Sequence, residues 1–119
     1  MLVAFSVAPS GSPSDRPGGS DGSVSEAVAA AVRVVRESGL PNRTDAMFTT
    51  VEGEWDACMD VVRRAVEAVA PYGSRVSLVL KADIRPGRSG ELRAKVDRVE
   101  ALLAPEPAAD ADTGGGPVA

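Results

Sequence analysis

Ser6, Thr50, Glu52, Lys81 and Asp83 are the residues of this 119-residue chain whose types and spacing point to chemistry. They offer two hydroxyls, two carboxylates and one amine, a set that orients a small polar molecule through hydrogen bonds and charge. The same five also suit a solvated sheet face with cross-strand ion pairs, such as Glu52 with Lys81, each contributing little to stability. The elements that carry them decide whether they can meet at all.

The first strand is read in "LVAFSVA", Leu2 to Ala8. Strand side chains alternate between faces, so Val3, Phe5 and Val7 share one side and Ala4, Ser6 and Ala8 the other. "SVSE" has the form of a capping box, with Ser23 and Glu26 exchanging hydrogen bonds at a helix start. The helix that follows carries Val24, Ala27, Val28, Ala31, Val32 and Val35 along one face and ends at Gly39 and Pro41. Two short strands fit between Arg43 and Glu52, joined by a tight connection near Met47 and Phe48. A second helix runs from about Glu54 to Val69, with Trp55, Cys58, Met59, Val62, Ala65, Val66 and Val69 on its apolar stripe. "APYG" breaks it. "RVSLVLKADIR", Arg75 to Arg85, is the clearest strand, with Val76, Leu78, Leu80, Ala82 and Ile84 alternating against Ser77, Val79, Lys81, Asp83 and Arg85. Past a "PGRSG" turn, Leu92, Val96, Val99 and Leu103 mark a third amphipathic helix, with Glu91, Arg93, Lys95, Asp97 and Arg98 mostly outward.

The order β-α-β-β-α-β-α specifies an α+β, ferredoxin-like βαββαβ sandwich with an additional C-terminal helix. In that topology the first and third strands are central, the last flanks the first, and two helices cover one face. The other face is left open. If Val3, Phe5 and Val7 face the helices, Ala4, Ser6 and Ala8 form a small-residue floor on the open side. Thr50, Glu52, Lys81 and Asp83 then point to the same side from two further strands. A floor of small residues leaves room for a flat ligand.

Length bounds the chain to one domain, expected over residues 1–103. The stretch from Pro9 to Gly22 reads as a mobile loop, and the tail 104–119, rich in Pro, Gly, Ala and Asp, as disordered. Only Phe5, Phe48, Trp55 and Tyr72 are aromatic, so Val, Ala and Leu build the core. Acidic residues outnumber basic ones, 17 to 13, and the basic ones are dispersed, which argues against nucleic acid. There is no histidine, which removes His-dependent triads and the usual zinc sites. No metal and no cofactor are expected. The single cysteine, Cys58, has no disulfide or histidine partner and reads as a core residue. "MLVAFSVA" lacks a basic flank and meets Pro9 too early for a signal peptide or a membrane span, so a cytoplasmic protein without membrane contact is expected.

Within "TTVEGEWD", Gly53 allows a sharp turn from strand to helix, Glu54 complements the positive helix end, and Trp55 falls on the apolar stripe as a core filler. Thr50 and Glu52 are left for function.

"SVSEAVAAAV", "TTVEGEWDACMDVV" and "VLKADIR" resemble the small thiamine-binding domain family related to YkoF. The resemblance runs from about Leu2 to Leu103 in the right order, and "EGEWD" and the lysine-x-aspartate of the last strand carry most of it. It implies a ferredoxin-like subunit that pairs through its sheets into homodimers or homotetramers. It also implies binding of thiamine or its hydroxymethylpyrimidine moiety without transformation. On these positions Ser6 and Thr50 would hydrogen-bond in the pocket and Glu52 would meet the aminopyrimidine. Lys81 and Asp83 would order the pocket or touch the ligand. The Pro9 to Gly22 loop is longer than the family's usual one, and "KADIR" is less acidic than its "KIDDR"-like ending.

The residues also leave other readings open. One is a regulatory or interaction module whose sheet mediates oligomerisation around a different metabolite. Another is an enzyme using Lys81 as a Schiff base. An RNA-binding sheet of this topology would need aromatic residues on its face, and this one offers Ser, Thr, Glu and Asp.

Overall fold

The computed structural model describes residues 1–12 and 24–105. Seven elements follow in order: β1 Leu2–Ser10, α1 Val24–Glu37, β2 Asn42–Thr44, β3 Thr49–Glu52, α2 Trp55–Val69, β4 Arg75–Asp83 and α3 Glu91–Leu103. A 3-10 turn, Ala70–Tyr72, separates α2 from β4. The antiparallel sheet is ordered β2-β3-β1-β4. This is the ferredoxin-like α+β arrangement with an added C-terminal helix.

The alternation of β1 sets the core. Val3, Phe5 and Val7 are buried, together with Val51 of β3. They meet Ala27, Ala31 and Val35 of α1 and Cys58, Val61, Val62, Ala65 and Val69 of α2. The alanines let both helices approach the sheet closely, which compensates for the lack of bulky side chains. Gly39, at φ 78°, takes the left-handed conformation that ends α1.

Several details depart from the sequence reading. β1 continues through Pro9 and Ser10, because β4 is long enough to pair with them at Val76 and Arg75. Beyond Phe5, β1 has no β3 residue opposite it, a setting in which a strand tolerates proline. β4 stops at Asp83, leaving Ile84 outside the strand and 56% exposed. Gly53 is not in a left-handed conformation; a Cβ there would come within 3.3–3.4 Å of Leu40 and the Cys58 sulfur, so close packing explains the glycine. Trp55 is 54% exposed and fills no core. It stands at the first turn of α2, where its side chain lies beside Ile84, Arg85 and Arg88 rather than under the sheet. Ser23 of the capping box, the expected loop from residue 13 onward and the tail from residue 106 lie outside the described residues.

α3 packs at the border of the sheet face that the topology leaves open. It flanks β3, and a cleft lined by Asn42, Arg43, Leu92 and Val96 separates it from β2. The nominally open face is therefore partly occupied at its β2–β3 end. Gly87 and Gly90, at φ 77° and 70°, provide the reversal that brings the helix back.

Candidate functional site

Residues directly opposite one another in an antiparallel sheet share a face, so the register places each expected site residue. Thr50 and Lys81 stand on either side of Ala4, and Glu52 and Asp83 on either side of Leu2. Ser6 is opposite Val79 and has no β3 neighbour. The five thus occupy one face in three successive rows, while Val51, Ala82 and Leu80 lie on the other. Thr50 and Lys81 are two strands apart, about 10 Å between Cα atoms, with the alanine floor between them. Lys81 is exposed and makes no ion pair among the described residues. The Glu52–Lys81 pair does not form, because the two residues are in different rows.

Glu52 has a different partner. It is 7% exposed, and its two carboxylate oxygens accept the backbone N–H groups of Glu91, at 2.9 Å, and Leu92, at 3.2 Å. These are two of the N–H donors that a helix start leaves without partners. The N-cap residue of α3 is Gly90, which has no side chain to supply the acceptor. A carboxylate from β3 does so instead, and its negative charge complements the positive end of the helix. The space around Glu52, Asp83, Arg88 and Glu91 amounts to only about 10 Å³. It has no room for a ligand ring.

Asp83 is joined to α3 as well, through the Lys95 ammonium. The Lys95 hydrogen bond holds the Asp83 carboxyl below its ordinary range, with help from the Lys95, Arg85 and Lys81 charges. Glu91 is 5% exposed. It accepts from Arg98 at 2.7 Å and from Arg88 at 3.4 Å. Its carboxyl is lowered chiefly by the Arg98 hydrogen bond, which outweighs desolvation. Of the five expected residues, Ser6, Thr50 and Lys81 remain directed at the uncovered part of the face. Glu52 and Asp83 hold α3 at its border.

Sequence reasoning missed Glu91, Lys95 and Arg98 as partners in this region. One signal was available: "PGRSGEL" opens a helix on a glycine, which predicts that an acceptor must come from elsewhere. Nothing local identified Glu52 as that acceptor. Among the described residues no group of three or more Cys, Asp and Glu side chains could hold a metal ion, and no helix is long and apolar enough to cross a membrane.

β4 forms one edge of the sheet. Leu78 and Leu80, opposite Val7 and Phe5, are 42% and 36% exposed, and Val79, on the other face, is 55% exposed. Val96, Val99, Leu102 and Leu103 of α3 are exposed too.

Residues 3–100 match the family model described as thiamine-binding protein. A UPF0045 protein of Mycobacterium bovis is 54% identical over 108 residues, covering 89% of this chain and 98% of its own length. A UPF0045 protein of Synechocystis is 34% identical over 82 residues, covering 68% of each chain. Among solved structures, a domain of unknown function from Bacillus cereus superposes with TM-score 0.65 at 31% identity, covering 83% of this chain and 90% of that one. A Thermotoga maritima protein, provisionally assigned to thiamine biosynthesis or salvage, superposes with TM-score 0.62 at 24% identity, covering 82% and 97%; that likeness concerns the fold. The match across nearly all of the folded elements makes this chain a member of the thiamine-binding protein family.

Proposed function

We propose that the protein binds thiamine or its hydroxymethylpyrimidine moiety without transforming it, in a site formed on the open sheet face between copies of the chain. The observation that carries this reading is the row Thr50–Ala4–Lys81. A flat ring can lie over Ala4, with a hydroxyl on one side and an amine on the other, and Ser6 one row further along. Glu52 and Asp83 act at the border by anchoring α3.

The exposed apolar residues on both faces of β4 and along α3 support pairing through the sheets into a homodimer or homotetramer. A second copy would cover those residues and close the site. The same exposure also favours the second reading, a regulatory or interaction module that assembles around another metabolite. The protein as proposed acts in the cytoplasm, with neither nucleic acid nor membrane as partner, and none of its residues acts as a catalyst.

Calorimetry with thiamine, hydroxymethylpyrimidine and thiamine diphosphate tests the ligand class. Saturable heat from one of the first two is expected. Absence of heat from all three, with the folded oligomer confirmed by light scattering, eliminates the proposal and leaves the assembly module.

A further inference from the structure

β4 ends at Asp83, and the chain then reverses through Arg85, Pro86, Gly87 and Arg88. The Arg88 N–H donates to the Arg85 carbonyl at 3.1 Å, and Gly87 takes φ 77°. Proline in second place and a glycine of positive φ in third are what a type II turn requires. The proline ring stiffens the turn, which holds its two arginines at the first and fourth positions, within about 7 Å between Cα atoms.

An open cleft of about 200 Å³ separates this turn from the start of α2, lined by Met1, Glu54, Trp55 and the run from Ile84 to Arg88. Trp55 and Ile84 are 54% and 56% exposed, so an indole and a branched aliphatic side chain stand in water beside two guanidinium groups. The Arg85 guanidinium makes no hydrogen bond or ion pair among the described residues, although its charge acts on Asp83 and Glu91 from further off. Arg88 reaches Glu91 only at 3.4 Å, and Glu91 has its shorter bond, 2.7 Å, with Arg98. Nearly all of the five N–H donors on each guanidinium are thus available to an anion. Two forks beside an exposed indole suit a planar ring that carries a phosphate: the guanidinium groups take the phosphate oxygens and the indole stacks on the ring. Glu54 lines the same cleft. Its carboxylate repels the phosphate and accepts from a ring N–H, which fixes the direction in which such a molecule enters.

The cleft lies past the end of the sheet where β3 and β4 leave it, beyond the Glu52–Leu2–Asp83 row. Ser6 is four residues further along β1, about 13 Å away from that row. The tightly packed border around Glu52 and Glu91 lies between the cleft and the row Thr50–Ala4–Lys81.

We propose that this cleft is a second binding site, separate from the open face, for a single heteroaromatic ring bearing a phosphate ester, as in a pyrimidine nucleoside monophosphate. Arg85 and Arg88 hold the phosphate, Trp55 carries the ring, and Glu54 accepts from the ring's amine. The site is complete within one copy of the chain and does not depend on thiamine binding.

Trp55 is the only tryptophan of the chain, so its fluorescence reports on this cleft. Titration of the full chain with cytidine monophosphate is expected to quench the emission saturably. Cytidine, which lacks the phosphate, is expected to bind at least about tenfold more weakly, and Arg85→Gln to weaken cytidine monophosphate by about the same factor. Arg85 is exposed, so the variant should keep the circular dichroism spectrum of the wild type. Quenching that rises in proportion to concentration without saturating is collisional and overturns the proposal. Equal affinity for cytidine and its monophosphate overturns it too, as does an Arg85→Gln variant that binds cytidine monophosphate like the wild type.

Discussion

The carboxylate of Glu52 caps the helix that begins at Glu91. It accepts that residue's backbone N–H at 2.9 Å across 39 positions of sequence. One acidic residue thereby anchors the backbone of another, whose own side chain is held by Arg98 at 2.7 Å. The two contacts fix the start of α3 at the border of the open sheet face.

Glu52→Gln is expected to lower folding stability by about 1–3 kcal/mol, the range for a charge-assisted hydrogen bond or a buried group left unpaired. The amide offers one acceptor where two N–H donors converge. Urea unfolding measures the change, and an unaltered midpoint would mean that the cap contributes nothing.

Stability should also depend on Glu91 in the acid range. Its folded carboxyl lies below its ordinary value because of Arg98. The contribution is therefore complete above the unfolded value, about 4.3, and is lost as pH falls through the lower folded value. Arg98→Ala should reduce stability at pH 7 more than at pH 3. Equal reductions at both would assign the loss to packing of the arginine stem instead.

Thr50→Val is expected to weaken thiamine binding by about 0.5–1.5 kcal/mol, the typical net worth of a neutral hydrogen bond, with little change in the urea midpoint. Calorimetry compares the variants directly. Affinity equal to wild type would remove the Thr50 hydroxyl from the proposed site.

Val79→Lys places a charge on the exposed edge strand, a device by which proteins prevent edge-to-edge pairing. The variant should sediment as a smaller species with an unchanged circular dichroism spectrum. A wild-type sedimentation profile would show that assembly does not use this part of β4.

Cys58 is fully buried and burial pushes its thiol up from the ordinary value. Labelling by a thiol reagent at pH 7.5 should be slow in the native protein and rapid in urea. Rapid native labelling would reveal opening of the α2–sheet interface.

Much of the fold was legible because alternation and helical spacing are local. Val3, Phe5 and Val7 against Ala4, Ser6 and Ala8 fixed the two faces of β1, and the same logic put Thr50, Glu52, Lys81 and Asp83 on one side of the sheet. Trp55 shows where that logic ends. Its position continues the apolar stripe of α2, but at the first turn the stripe has run past the sheet, so the side chain stays in solvent. The stripe of α3 is a similar case: Val96 and Val99 have the spacing of a buried face and remain 43% and 55% exposed.

The sequence by itself determined the order of elements, the two faces of the sheet, the family resemblance and the residues available to a site. Tertiary structure alone decided which of those residues are committed to each other. Glu52 and Gly90 are far apart in the chain, and a missing cap announces a need without naming its acceptor. Only the return of α3 onto the sheet joins the Glu52 carboxylate to the unpaired N–H groups of that helix. That contact gives Glu52 a structural role at the border of the face that also carries Ser6, Thr50 and Lys81.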